Sequence, residues 1–256
     1  DTLDMSPAQA TTSVGAALRR AEAQLRRAGV EQARREAEEI LSHFTDMRRE
    51  RFIAEPGAPL REDALKKFEV AAGRRAAGCP TAYITNRKHF WGRAFHVDAR
   101  VLIPRPETEL LVEETLKRLP AEGVRAADAC TGSGCVAVTL AKERPHWRVV
   151  AADISKEALA VARRNAATHG ADVAFIRCDL LEAFRESAAL DAVVSNPPYI
   201  GEEEWKTLPA SVRDFEPRAA LVGGASGAEV ITRLAAQAYA RLRSGGWFFT
   251  EISPLI

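Results

Sequence analysis

Asn196-Pro197-Pro198-Tyr199 is the stretch of this chain whose residue types are best suited to do chemistry. Each proline lacks a backbone N–H and pushes the residue before it out of the helical region. The segment is therefore a stiff loop offering one amide side chain, acceptor carbonyls and one aromatic face. That set suits a planar group bearing an N–H2, either an amide or the exocyclic amine of a base. Asn196, Pro197 and Tyr199 are the candidate catalytic residues, and Pro198 completes the substrate-facing loop. Taken alone, the tetrapeptide equally fits a rigid strand-to-loop turn with a packed tyrosine.

A second group of residues could hold the other reactant. Asp128-Ala129-Cys130-Thr131-Gly132-Ser133-Gly134 joins an apolar run to a helical one. Its glycines let backbone approach a ligand, and the helix behind it offers free N–H groups. The loop resembles a dinucleotide-binding turn, but Val136-Ala137 follow it in place of a completed Gly-x-Gly-x-x-Gly. Asp153 comes 19 residues after Gly134, where an acid can accept from both hydroxyls of a ribose. Asp179, beside Leu180, ends the third run and can bond an adenine amine or a backbone N–H. Each acid could instead cap a helix, Asp153 above all because a helix follows it. Three acids at three successive strand ends beside a glycine loop favour a nucleoside site over three caps. No Lys or Arg stands in the loop to meet phosphates. The ligand read from these residues is an adenosine without phosphates, which points to S-adenosylmethionine. Its expected contacts are Asp128, Cys130, Thr131, Gly132, Ser133, Gly134, Asp153, Asp179 and Leu180, with Asn196 at the edge.

A sheet must carry these groups. From residue 124 onward, apolar runs alternate with helical patterns, as in a parallel sheet covered on both faces. Strands are predicted at Arg125–Cys130, Arg148–Asp153, Ala174–Cys178, Ala192–Ser195 and Trp247–Ile252, and helices at Cys135–Lys142, Ser155–His169 and Ala228–Leu242. Asp153, Asp179 and Asn196 then fall at strand carboxyl ends, where open α/β sheets bind ligands. Residues 201–226 are a long insert after the Asn-Pro-Pro-Tyr loop, in the place of an active-site lid.

Residues 1–80 are rich in Ala, Arg and Glu and read as a small helical domain. Its helices are predicted at Val14–Ala28, capped by Thr12-Ser13, at Glu31–Phe44, and at Arg61–Ala77 with Leu65, Phe68, Val70 and Ala72 apolar. Its Arg-Arg pairs read as solvated helix faces, with a docking surface for a macromolecule as the functional alternative. Residues 81–104 read as a β-hairpin linker, with strands at Tyr83-Ile84, His89–Trp91 and Ala94–Val97 and Gly92-Arg93 as the turn. Ile103-Pro104-Arg105-Pro106-Glu107-Thr108-Glu109 then opens a helix at Leu110–Leu119. Arg105, between two prolines, could hold a charged cofactor end.

Composition narrows the class. The chain has 256 residues, 46% of them hydrophobic, and a net charge of +1. Residues 1–79 hold 14 Lys and Arg against 13 Asp and Glu, without the basic excess of a dedicated nucleic-acid-binding domain. Cys79, Cys130, Cys135 and Cys178 form no Cys-x-x-Cys pair, and the 5 histidines are scattered, so no metal site is expected. No apolar run reaches membrane-spanning length and no signal pattern opens the chain, which reads as cytoplasmic. It begins with Asp1 rather than Met, so native residues ahead of it are expected to be absent.

Ile103–Glu109, Asp128–Gly134, Asp153, Asn196–Ile200 and Phe215-Glu216-Pro217-Arg218-Ala219-Ala220-Leu221 together resemble the HemK/PrmC protein-glutamine methyltransferases. Asn-Pro-Pro-Tyr alone is shared with adenine and other amino-methyltransferases; its combination with Ile-Pro-Arg-Pro-Glu-Thr-Glu and Phe-Glu-Pro-Arg narrows the family. The resemblance implies an α/β fold of the class I S-adenosylmethionine-dependent methyltransferase type, a Rossmann-like doubly wound sheet over residues 105–256. A small all-helical N-terminal domain over residues 1–80 would dock the substrate. The implied activity is methylation, at N5, of the glutamine in the Gly-Gly-Gln motif of peptide-chain release factors. S-adenosylmethionine is the implied cofactor and release factors the partners, with no metal or membrane. Two departures stand out. Ala129-Cys130 replaces the more usual Leu-Gly, and the chain ends at Ile256, before an expected last helix and antiparallel strand pair.

On that reading, the Asn196 side-chain oxygen and the Pro197 carbonyl accept both N–H bonds of the substrate amide, and Tyr199 packs on its plane. The alternative is a nucleic-acid amino-methyltransferase using the same loop on a flipped base. A catalytically silent adenosyl-binding scaffold is the reading from another class.

Overall fold

The computed structural model describes residues 12–186 and 189–252. It divides into two compact units, the first ending at Thr85 and the second beginning at Asn86. The first is helical: α1 (Val14–Arg27), α2 (Ala33–Thr45), α3 (Arg49–Ala54), α4 (Glu62–Ala76) and α5 (Thr81–Ile84). Ser13 caps α1, its Oγ accepting from the Ala16 N–H at 3.3 Å. Val14, Leu18 and Leu25 of α1, Ala37, Ile40 and Leu41 of α2, and Ala64, Phe68 and Ala72 of α4 are buried.

Three expectations change in this unit, and one short helix appears that none had covered. Val70 is 67% exposed, because the helical period that buries Phe68, Ala71 and Ala72 turns it outward. Tyr83-Ile84 lie in α5 rather than a strand, where Pro80 at the N-cap supplies a φ of −58° suited to entering a helical turn. The six-residue α3, anchored by Phe52, is too short to show a period. The arginines are not all solvated. Arg75 engages Glu36, which also accepts from Thr81 Oγ1 at 2.5 Å, and Arg34 and Arg49 both engage the buried Glu38. Burial opposes charge on Glu36, but the bonds from Arg75 and Thr81 prevail and lower its carboxyl from the ordinary value.

The second unit opens with an antiparallel hairpin, β1 (Lys88–Phe90) and β2 (Arg93–Phe95). Its turn is Trp91-Gly92, at φ 50° and 68°, one residue before the predicted Gly92-Arg93. A two-residue primed turn needs positive φ at both central positions to match the strand twist. The hairpin is part of this unit. Then follow α6 (Glu109–Arg118), β3 (Arg125–Ala129), α7 (Cys135–Glu143), β4 (Arg148–Asp153), α8 (Lys156–His169), β5 (Val173–Arg177) and β6 (Leu190–Ser195). The chain continues through β7 (Ile200–Gly201), α9 (Glu202–Thr207), α10 (Ala210–Arg213), β8 (Val222–Gly224), α11 (Glu229–Arg241) and β9 (Leu242–Thr250).

One sheet carries five strands in the order β5-β4-β3-β6-β9, parallel throughout. Ala126, Ala192 and Val194 face a core with Val112, Val136 and Leu140; Ala127, Ala129 and Val193 face another with Leu181, Leu234 and Ala238. Burial on both faces is why the strands read as apolar runs without alternation. The chain winds outward from β3 through β4 and β5, then returns to β6 on the other side. The order thus reverses between β3 and β6, where such sheets bind ligands. β9 begins at Leu242, well before the predicted Trp247, and its register shifts between the pairs Leu190–Leu242 and Ala192–Trp247. Arg243, Ser244 and two glycines interrupt the apolar run and hid that first half.

The insert over residues 201–226 is closed at its base by β7 pairing in parallel with β8. A Cβ on Gly223 would lie 2.4 Å from the Pro198 carbonyl oxygen, and one on Gly227 2.4 Å from that of Tyr199. Only glycine lets this backbone lie against the Asn-Pro-Pro-Tyr loop. Among the described residues, no helix is long and apolar enough to cross a membrane.

Candidate active site

The carboxyl ends of β3, β4, β5 and β6 meet at one cavity of about 410 Å³, within the size range of small-ligand pockets. Asp128, Cys130, Thr131, Gly132, Ser133, Asp153, Asp179, Leu180 and Asn196 line it, as does Pro198. Gly134, Pro197 and Tyr199 are not among its lining residues. Gly134, at φ 79°, is the N-cap of α7, and a Cβ there would meet the Ala162 Cβ at 2.9 Å. The absence of a Cβ there lets α7 pack closely on α8.

Asp153 borders the cavity and is not the cap of α8. Its Oδ2 accepts from the Gly132 N–H and its Oδ1 from the Ser155 N–H, both at 2.9 Å. Ser155 caps α8, its Oγ accepting from the Ala158 N–H at 3.0 Å. The Ile154 N–H also favours the charged carboxylate, which keeps acceptor capacity for a further donor. Burial raises its carboxyl, with the N–H bonds from Ser155 and Gly132 pulling the other way. Asp128 faces its own loop, accepting from Thr131 Oγ1 at 2.6 Å and from the Ala137 N–H at 3.1 Å. Burial pushes it up to about 7, against those two hydrogen bonds, and the nearby Asp153 charge adds to the rise. The Cys130 and Cys135 thiols are likewise pushed up by burial, Cys135 to about 12, so neither is a thiolate nucleophile.

Two arginines line the cavity, and both have carboxylate partners: Arg233 of α11 pairs with Asp179, and Arg100 with Asp98. Hydrogen bonds from Arg100 hold the Asp98 carboxyl well below the usual range. A cavity whose cations are already paired, with acids at two strand ends, fits a nucleoside bearing no phosphate. S-adenosylmethionine meets that description.

Arg105 is not where its flanking prolines suggested. It pairs with Glu216 Oε1 at 2.5 Å, and Glu216 Oε2 accepts from the Ile103 N–H at 3.1 Å. The Glu216 side chain is 1% exposed, and a carboxylate so buried needs a charged partner. Arg105 therefore joins Phe-Glu-Pro-Arg of the insert to Ile-Pro-Arg-Pro and is not spare for a cofactor.

At the Asn-Pro-Pro-Tyr loop, Asn196 Nδ2 donates to Thr108 Oγ1 at 3.0 Å. Thr108 Oγ1 donates to Glu251 Oε2 at 2.7 Å, and the Tyr199 hydroxyl to Glu251 Oε1 at 2.8 Å. Burial and the Glu251 carboxylate both raise the Tyr199 phenol, which stays protonated as a donor. The sequence reading missed Thr108, Glu216 and Glu251. The first two lay inside motifs already singled out, where prolines and arginine drew the attention. Glu251 follows β9 with no motif around it.

Residues 16–85 match the PrmC N-terminal domain family, and residues 106–212 the methyltransferase small domain family. A release factor glutamine methyltransferase of Koribacter versatilis is 45% identical over 218 residues, covering 84% of this chain and 78% of that one. Another, of Nitratidesulfovibrio vulgaris, is 42% identical over 250 residues, covering 96% and 85%. Among solved structures, a methyltransferase from Pyrococcus furiosus aligns with a TM-score of 0.45 and 20% identity, covering 63% of this chain and 70% of that one.

Proposed function

This chain belongs to the release factor glutamine methyltransferase family, and from that premise we propose the part each residue of its site plays. The protein transfers a methyl group from S-adenosylmethionine to a release-factor glutamine. S-adenosylmethionine, when bound, supplies an electrophilic methyl on a positively charged sulfur. Asp153 accepts from the ribose hydroxyls, Asp179 and Leu180 flank the base, and the loop from Cys130 to Ser133 approaches the nucleoside with backbone. Asp128 holds that loop to the start of α7.

The observation that carries the substrate assignment is Asn196. It lines the cavity with Nδ2 engaged by Thr108, and its Oδ1 has no partner among the described residues. The substrate amide N–H2 donates one proton to that oxygen and the other to the Pro197 carbonyl. An amide nitrogen is a poor nucleophile because its lone pair is delocalised. Two fixed acceptors aim it and stabilise the positive charge that grows on it during transfer. No base is needed beforehand, because the methylated nitrogen sheds its proton readily afterwards. Tyr199, anchored on Glu251, flanks the amide plane.

We take the methylated glutamine to be that of a Gly-Gly-Gln motif, the helical N-terminal unit to dock the release factor, and the place of action to be the cytoplasm. The test is incubation with labelled cofactor, a release factor and DNA together. Mass spectrometry is expected to find one added methyl on the Gly-Gly-Gln peptide. Labelled DNA beside an unmodified release factor would overturn the reading.

A further inference from the structure

Thr108 is the N-cap of α6, a position where a threonine hydroxyl ordinarily accepts a backbone N–H of the first turn. It makes no such bond. The residue is 2% exposed, and its Oγ1 lies instead between Asn196 Nδ2 at 3.0 Å and Glu251 Oε2 at 2.7 Å. The helix forgoes a side-chain cap, and the hydroxyl serves the substrate loop.

The direction of these bonds follows from what each group can donate. Glu251, as a carboxylate, only accepts. It takes the Thr108 proton on Oε2 and the Tyr199 proton on Oε1. Thr108 has then spent its single proton and can only accept from Asn196. Asn196 must turn its N–H2 toward Thr108, which leaves Oδ1 for the substrate. The two orientations of a carboxamide have nearly the same shape, so packing separates them weakly and the hydrogen-bond network decides. The reversed orientation would face a substrate N–H2 with another N–H2, donor against donor.

We propose that Glu251, acting through Thr108, is the positioning residue that orients the Asn196 carboxamide so that oxygen faces the substrate amide. The proposal rests on the acceptor role given to Asn196 above. The same carboxylate holds Tyr199, so both ends of Asn-Pro-Pro-Tyr are tied to the residue that follows β9.

Glu251→Gln keeps the shape but brings an N–H2 that can donate to Thr108 and reverse the chain of bonds. Thr108→Val removes the hydroxyl and Thr108→Ser keeps it. The first readout needs no substrate: the side-chain amide resonance of Asn196 by nitrogen NMR, in the full chain with S-adenosylmethionine. Thr108→Ser is expected to leave that resonance in place, while Glu251→Gln and Thr108→Val move or split it. The second readout is single-turnover methyl transfer to a release factor. Glu251→Gln and Thr108→Val are expected to be slower by about tenfold to a hundredfold, the scale for losing a group that orients a reacting side chain from behind. Thr108→Ser is expected to stay near the wild-type rate. Cofactor affinity by calorimetry should hold in all three, which a general loss of structure would not allow. An Asn196 resonance unmoved by both Glu251→Gln and Thr108→Val, or Thr108→Ser as slow as Thr108→Val, overturns the inference. Wild-type protein that leaves the release factor unmethylated overturns the function proposed above, and the resonance still decides the orientation.

Discussion

Around the cofactor cavity, polar side chains are tied mostly to backbone, and close along the chain. Asp153 accepts from N–H groups 2 and 21 residues away, and Asp128 from groups 3 and 9 residues away. Around the substrate loop the ties run mostly between side chains and span long separations. Asn196 and Thr108 are 88 residues apart, Tyr199 and Glu251 52, Arg105 and Glu216 111, and Thr108 and Glu251 143. The first half is a property of two strand-to-helix turns. The second half exists only when four distant segments meet, and each link depends on one particular side chain. Damage to the first should register in stability and cofactor affinity, and damage to the second in the rate of transfer.

Asp128 offers the largest effect. Its carboxyl is raised from 3.8 to about 7 by burial, so the folded protein keeps a proton that the unfolded chain releases. The stabilisation is complete below about pH 4 and is lost as pH rises through about 7, by up to about 1.4 kcal/mol per pH unit. Asp128→Asn keeps an acceptor for Thr131 and Ala137 and removes the titration. Urea unfolding of both proteins from acid to neutral pH should show a falling stability for wild type and a flatter profile for the variant. Parallel profiles would mean that another group carries the pH dependence.

Asn196→Ala comes next and probes the other half. It is expected to slow methyl transfer by about 10²–10³-fold, as when one transition-state hydrogen bond is removed, with cofactor affinity little changed. A matching fall in affinity would mean that the two halves are not separable.

The contrast between local and distant ties also decides what was legible in the sequence. The place of Asp153 at the end of β4 was legible because it depends on one strand and one spacing, and the β3–α7 loop because its two glycines flank a single serine. Glu251 was invisible because its role exists only through Thr108 and Tyr199, which no local pattern connects to it. Arg105 was misread for the same reason: its partner Glu216 comes from an insert whose fold no periodicity announces. Gly134 was legible as part of a loop but not as a packing residue, since Ala162 lies in the next helix. In the fold, apolar runs marked four of the five sheet strands closely, although the edge strand β5 holds no buried residue. β9 was only half read, because Arg243, Ser244 and two glycines conceal its first half.

Asp153→Ala should weaken cofactor binding by about 1–3 kcal/mol, the range for leaving buried polar partners unpaired. The Gly132 N–H would lose its acceptor in the same step. Calorimetry giving wild-type affinity would return Asp153 to a purely structural role.

Ser155→Ala carries the smallest expected effect and completes the division of labour at the end of β4. Ser155 borders the cavity, but its Oγ is already used: it accepts from the Ala158 N–H and donates to Glu157 Oε2 at 3.3 Å. The link from Ser155 to Asp153 runs through the backbone N–H, which the substitution leaves in place. Removing the hydroxyl therefore uncaps α8, at a cost of about 1 kcal/mol in unfolding free energy, while Asp153 stays where it is. Cofactor affinity should not follow. Paired with Asp153→Ala, the variant separates two roles that two neighbouring residues could each have filled. If Ser155→Ala weakens the cofactor as much as Asp153→Ala does, the acid acts through the helix start rather than on the ribose, and the cofactor half of the site is no longer a matter of direct contact.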